Sequence, residues 1–464
     1  MSLSVSTGAI FAGIGQELAR ISGAQHVLED PAALANFAID EVTPEAVVSP
    51  GSAEEIAAIL QIAGERDWVV ATAGGGTARG CGASPERIDV LLRTNRLDKI
   101  AYYDPGDLTL GAGAGMSAAA VNRALGEHGQ FLPLDVAQPD RATLGGILAS
   151  ASSGPLRHGY GGAREFCIGI QFVSGDGKVA KAGGRVVKNV TGYDLMKLLI
   201  GSWGTLGVVT GANFKVFPRA RQTCTFVAQF ASLGEAVSFR ECMARSQLSF
   251  LRMELFNPRA LEYLAKPALA RDPDTFVPET PVKLPDDSWQ IALTAAGSDA
   301  VLARYRKELG AAVARELCGD EEEDFWQAAG DFIPRVAARH RNFMHINVSV
   351  VPAAIASALG AAERAALDNN FLPAIVGRVG MGSFVLVFVP LSVDPPSAMH
   401  YGTAVSALRA ELAADSAVTV AVCPTEAKRH FDLWGGTTTD LGAMRKIRQA
   451  MDPKGILNRG RFMV

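Results

Sequence analysis

The stretch that decides the fold is Ala71-Thr-Ala-Gly74-Gly75-Gly76-Thr77-Ala-Arg79-Gly80-Cys81-Gly82. It follows directly on the apolar run Trp68-Val-Val-Ala-Thr72, which reads as a strand. Consecutive glycines let successive backbone N–H groups point to one side and form a nest for an anion. A dinucleotide pyrophosphate is the natural guest; the bland alternative is a flexible turn. Upstream, Ala46-Val-Val48 gives a β-branched strand. Ser52 then stands as N-cap with Glu55 at the capping-box position, which predicts a helix over 54–65. Strand–helix alternation of this kind points to a layered domain with buried sheets.

Two more glycine-rich segments follow. Gln138-Pro139-Asp-Arg-Ala-Thr143-Leu-Gly145-Gly146-Ile-Leu-Ala-Ser150-Ala-Ser-Ser153-Gly154, continuing to Arg157-His158-Gly159-Tyr160, is a long run of tiny residues. It reads as a poor core and a poor helix, suited to backbone lying flat against a broad planar ligand. The third runs Gly183-Gly-Arg-Val186-Val-Lys188-Asn-Val-Thr-Gly-Tyr193-Asp-Leu, followed by Gly201-Ser-Trp203-Gly-Thr-Leu-Gly207-Val208-Val209. Gly113-Ala-Gly115-Met-Ser-Ala118 formally matches the dinucleotide GxGxxA fingerprint. No strand with an acidic end stands ~20 residues on, so the match reads as chance.

Composition bounds the rest. The chain has 464 residues, 48% hydrophobic and 20% charged, as in an ordinary globular protein of several domains. A net charge of −4 without any basic block argues against nucleic-acid binding. Six cysteines at 81, 167, 224, 242, 318 and 423 lack any CxxC spacing, so no zinc or iron–sulfur site is expected. They read as free thiols of a reducing cytoplasm. No signal peptide is expected at the N-terminus, and the longest apolar run, at 384–391, is far short of a membrane span.

After Pro218 the glycine density falls. Strands predicted near 225–230, 289–294, 345–351, 374–379 and 383–389 alternate with amphipathic helices near 233–246, 298–316, 352–367 and 400–414, an α+β arrangement around an antiparallel sheet. The stretch 267–287 reads as a loop, and the acids 320–324 as a solvated helix start. The chain closes on Asp452-Pro-Lys-Gly-Ile-Leu-Asn458-Arg459-Gly-Arg461.

Taken together, the three glycine-rich segments and this closing motif resemble the vanillyl-alcohol oxidase / p-cresol methylhydroxylase (PCMH-type) FAD-binding superfamily. Within it, the run from Val186 most resembles the FAD-binding subunit of bacterial glycolate oxidase, whose relatives include D-lactate and D-2-hydroxyglutarate dehydrogenases. The resemblance implies an α+β fold: a two-subdomain FAD-binding domain over 45–218, a cap with an antiparallel sheet over 219–430, and a segment 431–464 returning to the first, preceded by a helix and connector over 1–44. It implies FAD as cofactor, with Gly74, Gly75, Gly76 and Thr77 at the pyrophosphate. Pro139, Thr143, Gly145, Gly146, Ser150, Ser153, Gly154 and Gly159 would line the flavin, and Gly207, Val208 and Val209 the adenine side. Thr77 stands where covalently flavinylated members carry histidine, so attachment is expected to be non-covalent.

The resemblance also implies that the cap covers the flavin ring, where hydroxyacid-dehydrogenase relatives carry a paired-histidine metal motif. That motif is not found, although His340 and His345 fall near its place, so no metal is expected. Arg157, Tyr160 and Lys188 are weak catalytic candidates that read equally well as solvated or structural side chains; Arg339, Arg341 and Arg378 could meet a carboxylate. Two functions stay open. One is FAD-dependent hydride transfer from a small 2-hydroxy acid and onward to a second flavoprotein or iron–sulfur partner. The other is an accessory flavin-carrying subunit without substrate oxidation of its own. Either would be cytoplasmic or peripheral to the inner membrane face.

Overall fold

A computed structural model describes residues 13–185, 193–265, 288–392, 396–436 and 440–463. The first sheet takes β1 (Val27–Leu28), β2 (Ala46–Val48), β3 (Val70–Ala73) and β4 (Val90–Arg93) in the order β1-β2-β4-β3, with β4 parallel to both β2 and β3. Its strands are mostly apolar because both faces are covered, one by the helix Ala53–Arg66. That helix starts where the capping box predicts: Ser52 Oγ accepts from Glu55 N at 3.2 Å, and Glu55 accepts from Gly51 N at 2.9 Å.

The second sheet is antiparallel and five-stranded. It joins β5 (Ile100–Asp104), β6 (Thr109–Gly113), β8 (Cys167–Val173), β9 (Val179–Gly183) and β10 (Val208–Lys215) in the order β5-β6-β10-β8-β9. A short ribbon pairs β7 (Gln130–Phe131) with β11 (Phe217–Pro218). Because β6 is antiparallel to both neighbours, the GxGxxA match at its end lacks the parallel βαβ unit that a dinucleotide fingerprint requires. Gly113 is there for packing: a Cβ on it would lie 2.1 Å from Leu97 O.

From residue 223 the chain builds one eight-stranded antiparallel sheet. Its members are β12 (Thr223–Phe230), β13 (Arg252–Phe256), β14 (Trp289–Ala296), β15 (Val313–Leu317), β16 (Met344–Ser349), β17 (Phe371–Arg378), β18 (Ser383–Pro390) and β19 (Ala417–Val422). Their order is β15-β12-β14-β13-β17-β18-β16-β19. One face carries the main hydrophobic core under the helices Leu233–Arg245, Ile355–Leu367 and Ala398–Glu411.

The C-terminal segment returns to the first sheet. Asp452 is buried and accepts from Ile456 N and Leu457 N, turning the chain so that Leu457 bridges Val70 in parallel. Asn458, in a left-handed conformation, accepts from Thr72 N and donates to Thr72 Oγ1 and the carbonyls of Trp203 and Gly204. The closing motif thus clamps the strand that feeds the glycine loop. No helix of the described residues is long and apolar enough to cross a membrane.

Four expectations are corrected. The tiny-residue run is not a poor helix over its whole length: Leu144–Ser150 is helical, because Thr143 Oγ1 caps Gly146 N and the glycines let the helix pack closely, Gly145 against Ala114. The predicted helix 298–316 stops at Leu309, and Val313–Leu317 pairs as an edge strand with β12. That pairing brings Cys224 opposite Cys318 with Cα atoms 4.9 Å apart, and the two form a disulfide rather than remaining free. Within the acidic run, Glu322 is buried, accepting from Thr223 and Thr225 at 2.6 Å each.

Candidate functional site

A cavity of about 710 Å³ lies between the first two sheets and the eight-stranded sheet. On the glycine-rich side it is lined by Gly74, Gly75, Gly76 and Thr77, then by Thr143, Gly145, Gly146, Ser150, Ser153, Gly154 and Arg157, and by Gly207, Val208 and Val209. Three segments far apart in sequence therefore share one wall. Pro139 and Gly159 are not among the lining residues: Pro139 O accepts from Ala119 N, and Gly159 N donates to Leu251 O. Tyr160 also lies off the cavity, packed edge-on against Phe131 and Phe217. Lys188 lies outside the described residues.

The glycine loop is held by contacts that leave no room for a side chain. A Cβ on Gly74 would lie 1.9 Å from Thr143 Oγ1, and one on Gly75 would lie 1.7 Å from Arg141 O. Gly76 adopts φ +76°, a left-handed conformation that favours glycine. Behind the loop, Lys428 is almost wholly buried and donates to Asp40 and to Gly80 O, both at 2.7 Å. Arg461 donates through Nη2 to the carbonyls of Arg79 and Cys81, while its Nη1, buried at the cavity wall, has no hydrogen-bond partner.

The opposite wall is the other face of the eight-stranded sheet. Strand alternation sends Met344, Ile346 and Val348 of β16 into the core and leaves His345, Asn347 and Ser349 lining the cavity. Beside them stand Glu254 of β13, Val376 and Arg378 of β17, and Ser383 and Val385 of β18. An apolar side is closed by Phe332, Ile333, Pro334 and Phe343. Gln138 N donating to Asp331 Oδ1 at 2.8 Å, and Arg378 donating to Ser153 O at 2.5 Å, tie the two walls together.

Perturbed ionisable groups concentrate where this wall meets the loop before residue 138. Burial pushes the Glu254 carboxyl up to about 8, against the opposing pull of Arg378, and the Asp135 carboxyl up to about 6, against that of Arg252. Burial holds the His345 ring neutral, its pKa lowered to about 4. His345 Nε2 lies 3.1 Å from Asn347 Oδ1, while Nδ1 has no partner; Glu254 Oε1, Asp135 Oδ1 and the Nε atoms of Arg252 and Arg378 also have none. Such a cluster of buried, shifted and unsatisfied groups in a cavity marks a chemical site rather than a structural one. His340 does not join it: its Nε2 lies 2.8 Å from the Tyr263 hydroxyl. Arg339 is buried and donates to Arg335 O, away from the cavity, and Arg341 does not line it.

The residues fit a long anionic cofactor with a planar end. Backbone glycine amides and the unpartnered Nη1 of Arg461 suit its phosphates, and the small residues Gly145, Gly146, Ala149 and Gly154 leave room along the wall for a broad ring. Comparison with known proteins bears directly on this. The model of the FAD binding domain matches residues 44–183, and the model of the C-terminal domain of FAD linked oxidases matches residues 219–417 and 427–462, just over half of the chain. The chain belongs to the FAD-linked oxidase family. Its cofactor is FAD.

Among relatives of this FAD-linked oxidase, D-lactate dehydrogenase of Archaeoglobus fulgidus is 32% identical over 48% of this chain and 48% of that protein. Glycolate oxidase subunit GlcE of Escherichia coli K12 is 40% identical over 30% of this chain and 40% of that protein. The chain thus spans about half the length, or less, of these curated relatives it matches. The solved structure of p-cresol methylhydroxylase with substrate bound superposes with a TM-score of 0.71 over 96% of this chain and 95% of that one, at 16% identity, a likeness of fold.

Sequence reasoning singled out neither Arg461 nor Asn458 as site residues, although both stand in the closing motif that was read. It missed Asp135 and Glu254 altogether. Glu254 carried no signal, because the short strand β13 offers only five residues of weak alternation.

Proposed function

We propose that this chain oxidises a small 2-hydroxy acid with FAD held non-covalently in the cavity. The single observation behind this reading is the facing of the two walls: glycine loops suited to a dinucleotide on one side, and on the other the half-buried Arg378 guanidinium, a neutral histidine and the buried Glu254 carboxyl. Gly74 to Thr77 would cradle the pyrophosphate with Arg461 Nη1, residues 143–154 would line the flavin, and Gly207 to Val209 the adenine side. Bound FAD supplies the acceptor for a hydride.

The protein's own contribution is to bind, orient and deprotonate. Arg378 would take the substrate carboxylate on the cavity-lining side of its guanidinium, where Nη1 holds Ser153 Oγ only at 3.4 Å, while Nη2 stays fixed on Ser153 O and Nε stays buried beside Glu254. With Nε2–H donating to Asn347 Oδ1, His345 keeps a bare lone pair on Nδ1, which is buried beside the cavity and would accept the hydroxyl proton, as the C2 hydride leaves, after a small turn of the ring. Phe332, Ile333 and Phe343 exclude water and limit the size of the group on C2.

The likeness to a glycolate oxidase subunit supports a second reading, in which the chain is an accessory flavin carrier within a complex, at the inner membrane face or free in the cytoplasm, relaying electrons or scaffolding while a related flavoprotein subunit oxidises the substrate. Anaerobic mixing of the holoprotein with glycolate, D-lactate and D-2-hydroxyglutarate separates the two. Bleaching of the flavin by the isolated chain supports oxidation by its own site; bleaching that appears only after a partner flavoprotein is added supports the accessory role.

A further inference from the structure

We propose that Glu254, in its neutral form, keeps Arg378 available to the substrate carboxylate, and that its ionised form closes the site by claiming the guanidinium for itself. This rests on the reading of Arg378 given above and adds a positioning residue to it. The geometry is specific. Glu254 and Arg378 lie on adjacent antiparallel strands, next to the pairs Leu255↔Gly377 and Phe256↔Val376. Glu254 Oε1 stands 3.6 Å from Arg378 Nε, beyond hydrogen-bond reach, and neither atom has another partner. Both side chains line the cavity, with Glu254 only 1% exposed. An ionised carboxylate beside a guanidinium would close that gap into a charge-assisted hydrogen bond through Nε.

The surroundings favour the neutral acid. On β13 itself Arg252 is turned to Asp135, 3.8 Å away, and stacks over Trp326, while Tyr160 and Glu322 act on it in turn. From the loop before residue 138, Asp135 adds a second carboxyl that opposes a charge on Glu254. Arg378 also feels Arg157 across the cavity, and His345 of β16 is held neutral partly by Arg378. Burial therefore outweighs the two nearby cations and raises Glu254 to about 8. The sign follows. Below that value the Glu254–Arg378 pair presents one net positive charge to an anionic ligand. Above it, a carboxylate ligand must either displace Glu254 or bring a proton with it.

The test uses the wild-type holoprotein and a non-reacting carboxylate, oxalate, read by its perturbation of the flavin spectrum. Binding is expected to be flat at neutral pH and to weaken by about tenfold per pH unit above the Glu254 range. In Glu254→Gln, whose amide imitates the neutral acid, it should stay flat. Calorimetry of wild type in two buffers of different ionisation enthalpy provides a measurement independent of the variant's folding: about one proton should be taken up per oxalate bound at high pH. An unchanged pH profile in Glu254→Gln, or binding without proton uptake, overturns the role of Glu254 and leaves Arg378 as the anion site. No oxalate binding by wild type at any pH, or binding unaffected by Arg378→Met, overturns the reading of Arg378 itself.

Discussion

Replacing Gly75 by alanine should empty the flavin site while leaving the fold in place. The new Cβ would lie 1.7 Å from Arg141 O and 2.6 Å from Arg141 C, where an ordinary contact needs about 3.4 Å. Arg141 is poorly placed to retreat. Its N–H donates to Gln138 O at 2.9 Å, the next residue's N–H donates to the same carbonyl at 2.8 Å, and Ala142 O accepts from Ala118 N at 2.9 Å. The glycine loop must therefore move by something approaching the missing distance. Overpacking of this kind costs about 1–3 kcal/mol of stability. Hydrogen bonds to a charged group contribute about 1.5–3 kcal/mol each, so withdrawing two loop amides from a pyrophosphate weakens binding by ~3–6 kcal/mol. That is a factor of about 10² to 10⁴ in Kd. The assay is the flavin-to-protein ratio after identical purification, followed by titration of the apoprotein with FAD. Gly126→Ala, where the added methyl meets nothing within 4 Å, serves as the control. A Gly75→Ala protein that purifies fully loaded and binds FAD like wild type would refute the assignment of this loop.

Lys428→Met leaves Asp40 buried without its cation and should lower stability by ~3–5 kcal/mol, read as a fall in the thermal midpoint of the holoprotein. Arg378→Met should raise KM for a 2-hydroxy acid far more than it lowers the fluorescence-measured affinity for FAD, with a loss of ~2–5 kcal/mol in kcat/KM. His345 has a folded pKa of about 4 against an ordinary 6.5, so it contributes stability that is present above 6.5 and lost as pH falls toward 4. His345→Asn should therefore be ~2–3 kcal/mol less acid-sensitive across that window in urea titrations at stepped pH; equal acid sensitivity in the two proteins would show that the ring is not buried neutral.

Local signals carried the architecture well. Ser52 with Glu55 and the apolar run before Gly74 mark elements that close neighbours decide, and these are where the structure puts them. Long-range pairing was less legible. The disulfide depends on β15 adding to β12 across 94 residues, and β15 itself looks helical from its flanking charge pattern. The helix at Leu144–Ser150 was hidden because its glycines are poor helix formers, and only packing against Ala114 overrides that preference. The glycine wall of the cavity was readable because backbone approach demands a distinctive composition. The acidic and basic wall was legible only in part: Arg378 was named as a possible carboxylate partner, but Glu254 and Asp135 carry no local signal until strand β13 and the loop before residue 138 bring them beside Arg378 and Arg252. Arg461 shows the boundary between the two cases, since its motif was visible and its unpartnered nitrogen was not.

The most direct measurement is anaerobic stopped-flow reduction of the isolated holoprotein by a small 2-hydroxy acid, run with hydrogen and then deuterium at C2. Bleaching of the flavin that is several-fold slower with deuterium would show the C2–H bond breaking at this chain's own site, as the facing of Arg378 and His345 to the glycine wall requires. A flavin that stays oxidised against glycolate, D-lactate and D-2-hydroxyglutarate alike would contradict it.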